Sequence, residues 1–138
     1  MHIHASCAAR DGCGVLLLGP PGSGKSDLLL RLLDHRFVLV ADDQVRIADG
    51  CASAPAALAG LLEVRGLGIM RMAYAASAPL ALAVGMGAGE RLPQPARHAG
   101  TGLPLVMVDP RHASAPARVG LALDCVLGQA SQVAGAFA

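Results

Sequence analysis

Eight residues, Gly19-Pro20-Pro21-Gly22-Ser23-Gly24-Lys25-Ser26, fit the pattern G-x-x-x-x-G-K-[ST] without a substitution. Glycines permit a tight turn and keep side chains clear, so successive backbone N–H groups can face phosphate oxygens. A helix starting at the loop adds unpaired donors and its dipole. In that setting Lys25 reaches the β and γ phosphates of a nucleoside triphosphate and the Ser26 hydroxyl ligates Mg²⁺. Such a metal needs an acidic partner, and Asp42-Asp43 close an apolar run downstream. One carboxylate could organise the metal and its waters while the other takes a proton. That division requires the strand to end and bend there, because neighbours on a continuous strand face opposite ways. Adjacent carboxylates beside a metal also titrate as a coupled pair.

These residues need elements to hold them. Gly14 to Leu18 is an apolar run ahead of the loop, and Asp27-Leu28-Leu29-Leu30-Arg31-Leu32-Leu33 follows it. The loop is therefore expected between a strand and a helix that runs to about Asp34 or His35. His2 to Ala9 is expected as a short strand ending at the turn Arg10-Asp11-Gly12. Phe37-Val38-Leu39-Val40-Ala41 has the length and continuous apolarity of a fully buried central strand. Gln44 to Ala48 is a strand leaving the site, closed by the Asp49-Gly50 turn. Ala54 to Gly60 is expected as a short helix with Pro55 in its first turn. Between Leu61 and Met72, Gly66 and Gly68 flank Leu67 and separate two strand-like pieces. Leu80 to Val84 and Leu103 to Val108 are further strands, with a long surface loop expected from Gly85 to Gly102. From about Ser114 the chain is expected to be helical, with Val119, Leu123, Val126 and Leu127 on one face. Regular phosphate-loop folds alternate strand and helix, whereas this middle is rich in strands. The expectation is one α/β domain over residues 1–138 with a mixed, strand-rich sheet.

Composition excludes several alternatives. The chain has 138 residues, 54% hydrophobic but only 2% aromatic, so aliphatic side chains must fill the core. A formal net charge of +1 gives no basic footprint for nucleic acid. Cys7, Cys13, Cys51 and Cys125 are widely spaced and form no C-x-x-C pair, which argues against a zinc site or a disulfide set. The start Met1-His2-Ile3-His4 lacks the regions of a signal peptide. The apolar stretch from Ala73 to Ala88 is interrupted and too short to span a bilayer. A cytoplasmic location with no membrane partner is expected.

Three segments together resemble HPr kinase/phosphorylase, the bacterial family that phosphorylates a serine of the phosphocarrier protein HPr. They are Gly-Pro-Pro-Gly-Ser-Gly-Lys-Ser-Asp at 19–27, Leu-Val-Ala-Asp-Asp-Gln-Val at 39–45 and Leu-Glu-Val-Arg-Gly-Leu-Gly-Ile at 62–69. The third is the most diagnostic, because few phosphate-loop proteins carry Glu-x-Arg-Gly-x-Gly-Ile after an Asp-Asp strand. The resemblance implies an HPr kinase/phosphoenolpyruvate carboxykinase-like fold, ATP and Mg²⁺ as cofactors, and HPr as partner in control of the phosphotransferase system. It further implies phosphorolysis by inorganic phosphate to pyrophosphate, a homo-oligomer of hexameric type, and a catalytic domain alone, as in short alphaproteobacterial-type members.

By position, the resemblance assigns phosphate binding to residues 19–26 with Lys25, and Mg²⁺ to Ser26 with Glu63 as a second ligand. Asp43 matches the proton acceptor and Asp42 its metal-side neighbour. His4 matches a phosphate-sensing histidine, and Arg91 matches an active-site arginine of a mobile loop that could stabilise charge on the transferring phosphoryl. The chain departs from the family pattern at Met70-Arg71-Met72, at Val108-Asp109-Pro110-Arg111-His112, and in the Pro93- and Pro95-containing loop. Kinase activity is therefore the firmer expectation and phosphorolysis the weaker one. Two other readings stay open: a kinase of the same fold with another acceptor, and a non-catalytic ATP sensor signalling through a partner.

Overall fold

The computed structural model describes residues 1–138. Strands β1 (His2–His4), β2 (Ser6–Arg10) and β3 (Cys13–Leu18) precede the phosphate loop and helix α1 (Lys25–Leu32), which runs on as a 3₁₀ turn, Leu33–His35. Then come β4 (Val38–Ala41), β5 (Gln44–Ala48), β6 (Cys51–Ser53), the hairpin β7 (Leu61–Val64) and β8 (Gly68–Arg71), and β9 (Ala78–Met86). The chain closes with β10 (Ala96–Arg97), β11 (Pro104–Val108) and helix α2 (Ala115–Val126).

Nine strands form a mixed sheet whose main path runs β1-β5-β6-β9-β3-β2-β4, with β11 beside β9 and β10 beside β11. The β3–β9 and β9–β11 ladders are parallel and the rest antiparallel. The carboxyl ends of three parallel strands therefore open on one side of the sheet, where α/β folds commonly bind ligands. Two Asp-Gly turns, 11–12 and 49–50, have positive φ at both residues, the geometry that a tight two-residue hairpin needs.

Alternation along the strands feeds two cores. Ala8, Val15, Leu17 and Leu39 pack with Leu28, Leu29 and Leu32 of α1 and with Val119 and Leu123 of α2. Cys7, Ala9, Leu16 and Val40 face the other way, onto Ala5, Val45 and Ala52. Both faces of β2, β3 and β4 are thus covered, which is why these strands are apolar at nearly every position. A fully buried leucine contributes about 2 kcal/mol here. Burial also pushes the Cys7 thiol up to about 12, so it acts as a small apolar residue.

Four expectations about the elements are corrected. The Phe37–Ala41 run is buried but not central: β4 ends the sheet path, its outer side meeting only the Leu39–Tyr74 bridge. Two covered faces make a strand apolar whether or not both edges are paired. The central strand is β9, nine residues long against an expected five, with β3 on one side and β6 and β11 on the other. The Ala54–Gly60 helix shrinks to one 3₁₀ turn, Ala56–Leu58. The Gly85–Gly102 loop begins two residues later and contains β10. Composition alone does not reveal a two-residue strand supported by β11.

Candidate active site

The loop between β3 and α1 lines a cleft of about 330 Å³ together with His4, Asp43, Glu63 and Arg65. Gly24 caps α1 in the left-handed region, at φ 102°, and a Cβ there would meet Pro110 Cγ at 2.9 Å. A side chain at Gly24 would be both strained and obstructed. Lys25, the chain's single lysine, is 6% exposed and folds over the loop, donating to the carbonyls of Gly19 at 2.6 Å and Pro20 at 3.1 Å. Burial pulls its pKa below the ordinary lysine range, and the carboxylates of Asp43 and Asp42 partly offset that. The Ser23 hydroxyl is buried within the loop without a hydrogen-bond partner.

Strand β4 ends at Ala41 and the chain bends, with Asp43 in the left-handed region at φ 69°. Non-glycine residues adopt this conformation at a cost of about 1 kcal/mol or more, and such strain concentrates at functional sites. The bend sends the two carboxylates apart. Asp42 turns inward, and its Oδ1 accepts from Ser26 Oγ at 2.7 Å and Ser6 Oγ at 2.9 Å. Asp43 turns into the cleft, with Oδ1 3.3 Å from His4 Nδ1. The Asp43 backbone N–H donates to Ser6 Oγ at 3.3 Å. Ser6 therefore braces both aspartates from β2. Sequence reasoning missed it; the one available signal was a hydroxyl in a strand otherwise filled by apolar residues up to Arg10.

Glu63 reaches the cleft from β7, and Val64 and Arg65 line it beside Glu63. From the other side the turn after β11 rests on α1. Arg31 donates to the carbonyls of Pro110 and His112 and pairs with Asp27 through Nε at 3.0 Å. In that turn the Arg111 side chain and backbone N–H hydrogen bond to Asp109, holding its carboxyl well below the usual carboxylate range. Arg91 is not brought to the site: it is exposed in the segment between β9 and β10 and does not line the cleft. Arg65 is the arginine in the cleft wall.

The phosphates of a nucleotide fit these donors. The glycine cradle, the orphaned Ser23 hydroxyl and the buried ammonium all suit phosphate oxygens. No three His, Cys, Asp or Glu side chains converge to form a metal cage. Magnesium at nucleotide sites is generally carried by phosphate oxygens and water with one or two carboxylates. Ser26, Asp42 and Glu63 remain the side chains available to it.

Residues 1–77 match the family described as HPr serine kinase C-terminal domain. An HPr kinase/phosphorylase of Bordetella petrii is 48% identical over 64 residues, covering 43% of this chain and 21% of that protein. One from Geobacillus thermodenitrificans is 46% identical over 75 residues, covering 51% of this chain and 24% of that protein. The chain thus spans about a quarter, or less, of the length of the curated relatives it matches. Among solved structures, the Hpr(Ser) kinase/phosphatase from Coxiella burnetii aligns with TM-score 0.70 and 22% identity, over 88% of this chain and 92% of that one. The fold is shared across 88% of the chain, which includes most of the part beyond residue 77.

Proposed function

The chain belongs to the HPr serine kinase C-terminal domain family, and from that premise we propose that it transfers the γ-phosphoryl of ATP to a serine of HPr. The observation that carries the reading is Asp43, Lys25, Ser26 and Glu63 lining one cleft. Lys25 and the loop N–H groups bind and orient the phosphates. Ser26, Asp42 and Glu63 would hold Mg²⁺, which when bound neutralises phosphate charge. Asp43, oriented by His4 and free of the hydroxyls that occupy Asp42, accepts the proton of the attacking serine hydroxyl. Arg65 supplies positive charge beside the transferring group, the role the resemblance gave to Arg91. With inorganic phosphate as the attacking group, the same site would return pyrophosphate and unmodified serine. The reading includes a cytoplasmic setting, and no helix of the chain is long and apolar enough to cross a membrane.

The test is incubation with Mg-ATP and purified HPr, reading phosphoserine by mass spectrometry. Asp43→Asn is expected to lower transfer at least about 10²-fold while retaining nucleotide binding. Bound ATP without phosphoserine on HPr overturns the acceptor, and full turnover by Asp43→Asn overturns the base.

A further inference from the structure

Arg31 stands in the last turn of α1, about 10 Å along the helix axis from Gly24. Its guanidinium reaches back toward the amino end, where Nε donates to Asp27. The two Nη groups donate outward, to the carbonyl oxygens of Pro110 and of His112, the latter at 3.3 Å. All three nitrogens are engaged in one plane, a task suited to the arginine fork and closed to a lysine ammonium. The pair with Asp27 alone, half exposed to water, would be worth little. The two carbonyls give the side chain its purpose. The 109–112 turn is closed on itself by Asp109, which accepts from the backbone and side chain of Arg111. Its hydrogen bonds to α1 come from Arg31 alone. Pro110, held by its carbonyl, sets its ring against Gly24, where a Cβ would meet Pro110 Cγ at 2.9 Å and Cβ at 3.1 Å. Gly24 joins the phosphate loop to α1, with Lys25 and Ser26 directly after it.

We propose, on the nucleotide-binding half of the reading above, that Arg31 is a positioning residue for the nucleotide phosphates. It lines no part of the cleft and acts through Pro110, whose ring walls the loop from behind. The wall matters because Gly24, at φ 102°, is the junction with the most backbone freedom to lose. Pressed between the proline ring and the start of α1, it holds one conformation before any ligand arrives. The loop N–H groups are then converged in advance, and the fold rather than the ligand bears the cost of ordering them. Without the Arg31 bonds the turn can lift, Gly24 regains its freedom and that cost falls on ATP binding. Once ATP is bound the loop is ordered in either case, so the chemical step at Asp43 is little changed. Arg31 thus sets affinity for the nucleotide, and not the rate of transfer from it.

The experiment is calorimetric titration of Mg-ATP into the wild type, Arg31→Ala, Pro110→Ala and the double variant, with transfer to HPr followed at saturating ATP. Each single variant is expected to raise Kd for ATP about tenfold and to keep kcat within about twofold. Because the two residues act in series, the double variant is expected within about twofold of Arg31→Ala. Pro110→Ala leaves every charge and the Arg31–carbonyl bond in place, so it isolates the ring contact. If Arg31→Ala does not fold, Pro110→Ala alone decides. A lower melting temperature with unchanged Kd makes Arg31 merely structural and overturns the inference. So do losses that multiply to about a hundredfold in the double variant, and a fall in kcat with Kd unchanged. ATP binding by the wild type without phosphoserine on HPr overturns the acceptor and leaves Arg31 to be judged on Kd. No ATP binding by the wild type overturns both.

Discussion

Two adjacent carboxylates receive different work from their immediate partners. Asp42 accepts from two hydroxyls and is held in place, while Asp43 has His4 beside it and the cleft before it. Ser6, fully buried on β2, secures both through Asp42 Oδ1 and the Asp43 N–H. Ser6→Ala is expected to cost about 1–2 kcal/mol of stability and to lower phosphoryl transfer, with ATP affinity nearly unchanged. Denaturant titration and single-turnover kinetics check this, and wild-type values in both would dismiss Ser6 as a brace. Lys25 fits the same logic: burial lowers its pKa, and an anionic phosphate beside it would favour the charged form.

At the scale of elements, the site is a meeting of ends. The phosphate loop follows β3, the Asp pair follows β4, and the 109–112 turn follows β11. Arg31 ties that turn to α1, and Pro110 packs over Gly24. Gly24→Ala places a Cβ at positive φ and against a proline ring at once. It is expected to cost about 2 kcal/mol or more and to weaken nucleotide binding, because the helix amino end must shift. Calorimetric titration with ATP and a thermal melt measure the two effects; an alanine variant with native melting and affinity would refute the account.

Across the whole molecule, the chain beyond residue 77 supplies the central strand of the sheet that holds the loop. Strand β9 pairs with β3 and β11, and α2 covers the resulting face. Arg10 on β2 is 5% exposed, pairs with Asp124 of α2 and lies over the Phe37 ring at 5.4 Å. This contact links residues 114 positions apart in the chain. Stability should also carry an acid-sensitive component from Asp109. Its carboxyl is lowered first by the Arg111 side-chain hydrogen bonds, and an unfolded aspartate titrates at about pH 4. The stabilisation is therefore present above that pH and lost as pH falls toward the folded value. Arg111→Ala is expected to melt below the wild type near neutral pH, with the gap narrowing at about pH 3. A gap independent of pH in thermal melts would exclude this linkage.

The sequence by itself determined the phosphate loop, the Asp pair at a strand end, the glycine-separated hairpin and a mixed α/β sheet. Each rests on local chemistry: glycine and lysine spacing, strand-length apolar runs and turn residues speak for neighbours a few positions away. Only the tertiary structure decided which carboxylate faces the cleft, because a left-handed Asp43 is fixed by Ser6 from another strand. The same holds for Arg65 rather than Arg91 in the cleft wall, for β9 rather than β4 at the sheet centre, and for the Arg31 contacts with the 109–112 turn. These depend on pairings between distant segments, and a buried strand reads alike at the centre and at the edge when both its faces are covered.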